Sequence, residues 1–183
     1  MQNFISRQAL IEKLKNIELL CVDMDGTLTD GGMYLDENNN ATKMFFAHDG
    51  TGLQMVKNLG VKIALITTSV SSIADHRSNI LGFHELVSGS HKKGEDILKL
   101  CEKLNIDPKN AAHMGDDVND IMGFKAVGMP IAVANSVDAI LDFAIYKTEK
   151  AGGFGAVREI CDLIMLAKTG RLYGPPYVDE FIQ

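Results

Sequence analysis

The chain has 183 residues, 46% of them apolar and 23% charged, a balance that suits a globular fold with a substantial core. Its 24 acidic and 18 basic side chains leave a net charge of -6, which argues against nucleic acid or an anionic membrane as main partner, since both demand a basic face. Cys21, Cys101 and Cys161 are widely spaced, carry no metal or CxxC spacing, and read as reduced core residues of a cytoplasmic protein.

The length reads as a single domain over residues 1–183. Arg7, Glu12, Lys13 and Lys15 are mixed with the apolar residues of the first segment, so no signal peptide is expected, and no apolar run reaches transmembrane length. Helical spacing predicts a leading helix over Phe4 to Asn16. The apolar run Ile17 to Val22 then predicts a buried strand. It ends in Asp23-Met24-Asp25-Gly26-Thr27, two carboxylates two residues apart with a glycine behind them.

Two β-prone segments, Met33 to Leu35 and Thr42 to Phe46, flank a polar turn and predict a hairpin within about 32–47. A helix over Gly50 to Leu59 closes at Gly60, and a second buried strand over Val61 to Ile66 ends at Thr67-Thr68-Ser69. A helix over Ser71 to Leu81, a strand over Glu85 to Val87 and a helix over Lys93 to Leu104 follow, the last with Ile97, Leu98, Cys101 and Leu104 on its apolar face. The strand Ala111 to Met114 opens into Gly115-Asp116-Asp117-Val118-Asn119-Asp120. Short strands over Pro130 to Val133 and Ala144 to Tyr146, a helix over Ala156 to Ala167 and an irregular tail from about 170 to 183 complete the chain.

Alternating strands and helices at short connections predict an α/β fold, a doubly wound, Rossmann-like parallel sheet with helices on both faces. Sites in such sheets lie beyond the carboxyl ends of the strands. Asp23, Thr67, Lys93 and Asp116 all follow a predicted strand or open the next helix, so they are expected to meet at one edge.

Two anions as close as Asp23 and Asp25 need a cation or a shared proton, and a hard divalent ion such as Mg2+ suits oxygen ligands beside a phosphate substrate. Together the residues describe a phosphoryl-transfer site. Asp23 is the expected nucleophile and Asp25 the expected acid and base. Thr67 and Lys93 would hold phosphate oxygens, with Lys92 the rival for the lysine's role. Asp23, Asp116 and the carbonyl of Asp25 would hold Mg2+, with Asp120 and Asp117 as further ligands or their supports. His76, His84, His91 and His113 are scattered and read as structural.

These motifs, in this order, closely resemble the haloacid dehalogenase superfamily of phosphatases. Receiver domains use similar groups, but there the phosphorylated aspartate ends the third strand, where this chain has Ser88-Gly89-Ser90. Only a hairpin fits between the first motif and the first long helix, so the chain resembles the capless members, whose neighbouring subunit covers the site. Within the superfamily it is similar to the tetrameric 3-deoxy-D-manno-octulosonate 8-phosphate (KDO 8-phosphate) phosphatases. The similarity runs through Asp25 to Gly31, His48-Asp49-Gly50, and Gly152-Gly153-Phe154-Gly155 with the helix behind it.

The resemblance implies an aspartyl-phosphate route to hydrolysis of a sugar-acid phosphate, a role in lipopolysaccharide synthesis, and a homotetramer. It also implies substrate contacts from His48, Asp49, Thr68 and Ser69. The family's arginines are replaced here by Ser69, His48 and Phe154, which leaves room for another nonulosonate or sugar phosphate. A catalytically silent binding protein of the same fold is the alternative from another class. The hairpin's Met33, Leu35, Met44 and Phe46 are expected to pack against other subunits. Leu172, Tyr173, Tyr177 and Phe181 of the tail are expected to reach a neighbour's site.

Overall fold

The structure is a computed structural model that describes residues 4–171. The tail residues expected to reach a neighbour, Leu172, Tyr173, Tyr177 and Phe181, lie outside the described residues.

Six strands form one parallel sheet: β1 (Leu19–Val22), β4 (Lys62–Ile66), β5 (Glu85–Val87), β6 (Ala111–Gly115), β7 (Met129–Ala132) and β8 (Tyr146–Lys147). The spatial order is β5-β4-β1-β6-β7-β8, so the chain winds outward on one side of β1 and then returns to its other side at β6. That reversal makes the carboxyl ends of β1 and β6 the switch point of the sheet, where such folds keep their sites.

The strands alternate between two buried faces. Leu20, Val22, Ile63 and Leu65 belong to the core shared with α1 (Arg7–Leu14), α2 (Ala47–Asn58), α3 (Ser72–Leu81) and α6 (Ala156–Thr169). Leu19, Cys21, Ala64 and Ile66 face the other layer, which includes α4 (Lys93–Leu104), while α5 (Ile121–Ala126) packs on α4. Burying each such leucine or isoleucine stabilises by about 1.5–3 kcal/mol, which is why the central strands read as unbroken apolar runs.

Local signals explain most boundaries. Ser6 Oγ accepts the Ala9 N–H at the start of α1, and Ser71 Oγ accepts the Ala74 N–H at the start of α3. Gly82, with φ of 60°, ends α3 as the left-handed residue a helix stop favours.

Several expectations shift. The helix expected from Gly50 starts at Ala47, which puts His48 and Asp49 inside its first turn. The last strand begins two residues later than its pattern suggests: Ile145 N–H already bonds to Pro130 of β7, but the paired residues are Tyr146 and Lys147. Leu98 of α4 is exposed and Leu100 takes its place inside. The hairpin is shorter than expected, with only β2 (Tyr34–Leu35) and β3 (Ala41–Thr42) paired, and Phe45 forming one bridge to Thr29. No described helix is long and apolar enough to cross a membrane. The three cysteines are buried and free.

Candidate active site

Asp23 is the first residue past β1, and its N–H is held by Met114 of β6 at 3.0 Å. The chain then turns tightly: Leu28 N–H bonds to Asp23 O, Thr29 N–H to Met24 O, and Thr29 Oγ1 accepts the N–H of Gly26 and of Gly31. Gly26 has φ of 88°, and a Cβ on it would lie 2.1 Å from Asp116 Oδ2. Only glycine lets the turn pass this close to the carboxylate that follows β6.

The turn is braced from behind. Asn135 donates from Nδ2 to Gly26 O at 3.0 Å and accepts the Gly152 N–H at 2.7 Å. Gly152 lies against the same carbonyl, where a Cβ would be 1.8 Å from the oxygen. The glycine-rich loop thus supports the Asp23–Asp25 turn from below.

Lys93 opens α4 with its side chain fully buried. Its Nζ lies 2.6 Å from Asp23 Oδ1 and 2.6 Å from Asp120 Oδ1. Lys92 is exposed and pairs with Glu95 instead. Oxygens of Asp23, Asp116 and Asp120 all lie within 4.8 Å of one another. Thr67 follows β4, beside β1 in the sheet; it is buried and its Oγ1 accepts the Ser69 N–H at 3.1 Å.

The electrostatics follow from that crowding. Burial, then the charge of Asp120, pushes Asp23 well above the usual carboxylate range, against the pull of Lys93. Burial, then Asp120 and Asp117, raises Asp116 to about 7. Asp120 is buried as well, but hydrogen bonds and charge from His113 and Lys93 outweigh that and hold it at about 2. Burial disfavours the Lys93 charge, yet Asp23 and Asp120 beside it prevail and keep it raised. Three carboxyl groups crowded around one lysine are short of positive charge. The donors are all carboxylate oxygens, which fits a hard divalent cation and not a soft one.

Asp25 is half-buried on the rim, and Lys43 from beyond β3 makes an ion pair with it. The two share a hollow of about 210 Å³ with Tyr34, Ser69 and Ser71. Thr68, beside Ser69, is half-buried.

Other expected residues stand apart. Asp117 is exposed, caps the turn at Val118 with its Oδ1, and is outside the oxygen cluster. Asp49 is fully buried and accepts the Arg158 N–H at 2.7 Å, so it anchors the start of α6 and has no surface to offer a substrate. His48 lines a different groove of about 480 Å³, together with Arg7, Phe46, Lys150 and Phe154.

Three further residues stand at the site, and only one of them has a signal in the sequence. Lys43 carries no signal beyond one charge in a β-prone run. Asn135 follows β7 at the same sheet edge, so the strand-end rule that finds Asp116 applies to it too. His113 reads as structural, yet its Nε2 lies 2.8 Å from Asp120 Oδ1.

A profile of the haloacid dehalogenase-like hydrolases matches residues 35–160. The 3-deoxy-D-manno-octulosonate 8-phosphate phosphatase KdsC of Escherichia coli K12 is 38% identical over 159 residues, 87% of this chain and 85% of that protein. The crystal structure of such a phosphatase from Moraxella catarrhalis, in complex with magnesium, phosphate and KDO, is similar with a TM-score of 0.86 and 34% identity, covering 96% of this chain and 97% of that one. The cobalt-bound enzyme of Haemophilus influenzae also gives a TM-score of 0.86, at 30% identity over 93% of this chain and 99% of that one.

Proposed function

Because this chain belongs to the haloacid dehalogenase-like hydrolases, we propose that it is an Mg2+-dependent phosphatase acting on a sugar-acid phosphate such as KDO 8-phosphate. The observation that carries the reading is the buried Lys93 ammonium between Asp23 and Asp120, with Asp116 completing an all-oxygen cluster at the switch point of the sheet.

Asp23, Asp116 and the carbonyl of Asp25 would hold the cation. When bound, Mg2+ offsets the repulsion between an anionic carboxylate and an anionic phosphate. Asp23 is the nucleophile: its oxygen bonds to phosphorus as the bond from phosphorus to the sugar oxygen breaks, giving an aspartyl phosphate. Asp25, on the rim, protonates the departing oxygen and then takes a proton from the water that releases phosphate. Lys93 and Thr67 hold the non-bridging oxygens. Asp120 orients Lys93, and Thr68 and Ser69 meet the sugar beside Asp25.

The kinship to KDO 8-phosphate phosphatases supports that substrate. A second reading, another nonulosonate or sugar phosphate, is favoured by Ser69, His48 and Phe154 standing where the resembled family has arginines. The protein acts as one domain, in the cytoplasm, where its unpaired cysteines stay reduced. It works as a homotetramer whose neighbouring subunits cover the wet, uncapped site.

Phosphate release from a panel of sugar phosphates, with and without Mg2+, tests the proposal. Turnover is expected only with the metal and fastest on KDO 8-phosphate. A better rate on another sugar acid transfers the assignment to the second reading. No turnover of any phosphoester, a simple aryl phosphate included, overturns both.

A further inference from the structure

We propose that His113 is a positioning residue for this site: by donating to Asp120 it fixes the carboxylate that steers Lys93 toward Asp23 and the phosphate. The inference rests on the phosphatase reading above.

His113 sits in the middle of β6, fully buried, between the apolar Ala112 and Met114. Its Nε2 approaches Asp120 Oδ1 at 2.8 Å, and the same oxygen accepts from Lys93 Nζ at 2.6 Å. The other oxygen, Oδ2, accepts the backbone N–H of Asp116 at 3.1 Å and of Asp117 at 3.4 Å. Asp120 is ionised between these donors, so the imidazole must present its Nε2 proton to it. Both oxygens of the carboxylate are then engaged by two donors each, and Asp120 acts as a clamp on Lys93 more than as a metal ligand.

The ring has little freedom to leave. Phe124 meets it edge-on at 5.6 Å between centroids. Gly123 lies against its edge, where a Cβ would be 2.6 Å from Cδ2 and 2.8 Å from Nε2. His113 Nδ1, by contrast, is buried with no hydrogen-bond partner among the described residues. An orphaned nitrogen in a core strand costs stability that a leucine would not. What the imidazole adds in return is the Nε2–H.

That donor has a definite effect on charge. Without it, Oδ1 of Asp120 would direct its full attraction at Lys93 and draw the ammonium away from Asp23. With it, the oxygen's charge is shared between two donors and Lys93 stays between both carboxylates.

The test uses the full chain with Mg2+, an aryl phosphate as substrate, and inorganic phosphate as binding probe. His113→Leu, similar in volume and lacking the donor, is expected to lower kcat about 10- to 100-fold, the size of loss seen when a hydrogen bond that orients a site carboxylate from behind is removed. Phosphate affinity by calorimetry should weaken alongside, with the melting temperature held or raised. His113→Gln, whose amide nitrogen reaches the Nε2 position, should recover most of the loss. Gly123→Ala keeps the imidazole but crowds its edge, and should reproduce the defect; it carries the test if the leucine variant does not fold. An active parent with His113→Leu or Gly123→Ala at parental kcat and phosphate affinity overturns the inference alone. An inactive parent overturns the phosphatase reading instead, and the calorimetry still reports on Lys93.

Discussion

Lys92 and Lys93 are neighbours in sequence and opposites in physics. Lys93 stands between two buried carboxylates, so Lys93→Ala leaves both facing each other without its counter-charge. That change should abolish turnover and cost about 3 kcal/mol or more in urea unfolding, whereas Lys92→Ala should stay within about 0.5 kcal/mol and keep activity. The reverse ranking would mean that the site has been built on the wrong residue. Asp49 gives a prediction of a different kind. Burial raises its carboxyl to about 6, above its value in the unfolded chain. A raised carboxyl favours the folded state when protonated, so its contribution is present at low pH and is lost as pH rises from about 4 through about 6. Asp49→Asn keeps an oxygen for the Arg158 N–H and removes the titration. The parent's stability relative to this variant should therefore fall by on the order of 2 kcal/mol between about pH 4 and about pH 7, read by urea unfolding at each pH. At this scale the sequence is legible wherever a residue's chemistry has a fixed offset from a strand end, as for Asp23, Thr67, Lys93 and Asp116. It is illegible where the role depends on a contact that no strand-end offset encodes: Lys43 of the hairpin on Asp25, and His113 inside β6 on Asp120.

Among elements, the tight turn after β1 depends on the loop at Gly152 and on the open face of Gly26. Gly26→Ala would force a side chain into a left-handed backbone and against Asp116 Oδ2 at once. We expect it to cost about 1–3 kcal/mol in thermal unfolding from backbone strain alone. Half-saturation by Mg2+ should also rise about tenfold or more, because the displaced carboxylate is one of the cluster. Parental Mg2+ dependence in a folded Gly26→Ala protein would show that Asp116 takes no part. Element type follows from pattern nearly throughout, since central strands must be apolar on both faces and helices carry their caps in sequence. Boundaries fail where pairing partners decide them. α2 begins before its apolar stripe because its first buried positions, Asp49, Gly50 and Gly52, carry no apolar side chain, and β8 is short because only Tyr146 and Lys147 pair with Ile131 and Ala132 of β7. The turn at Asp138–Phe143 and α5 itself follow no strong periodicity, whereas Asp107-Pro108 does mark the turn at Pro108–Asn110.

For the whole molecule, the open question is what covers the hairpin. β2 and β3 contribute two paired residues each, and a lone ribbon of that length is marginal in water. Met33 is 80% exposed, Leu35 57% and Tyr34 48%, on the same element that delivers Lys43 to Asp25. Three consecutive exposed apolar side chains on one two-stranded ribbon mark an interaction surface more than a solvated one. The hollow that holds Asp25 is walled by this ribbon, so its conformation and the site's chemistry are linked. If copies of the chain pack ribbon to ribbon, association should fix Lys43 and Asp25 in place, and turnover should depend on it. Sedimentation at micromolar concentration is expected to show an oligomer. Met33→Asp with Leu35→Asp puts charge into that contact and should yield a monomer whose turnover is reduced, while its melting curve keeps the sheet's transition. A parent that sediments as a monomer defeats the assembly. An aspartate variant that dissociates yet turns over at the parental rate separates assembly from catalysis and leaves the ribbon a purely structural contact.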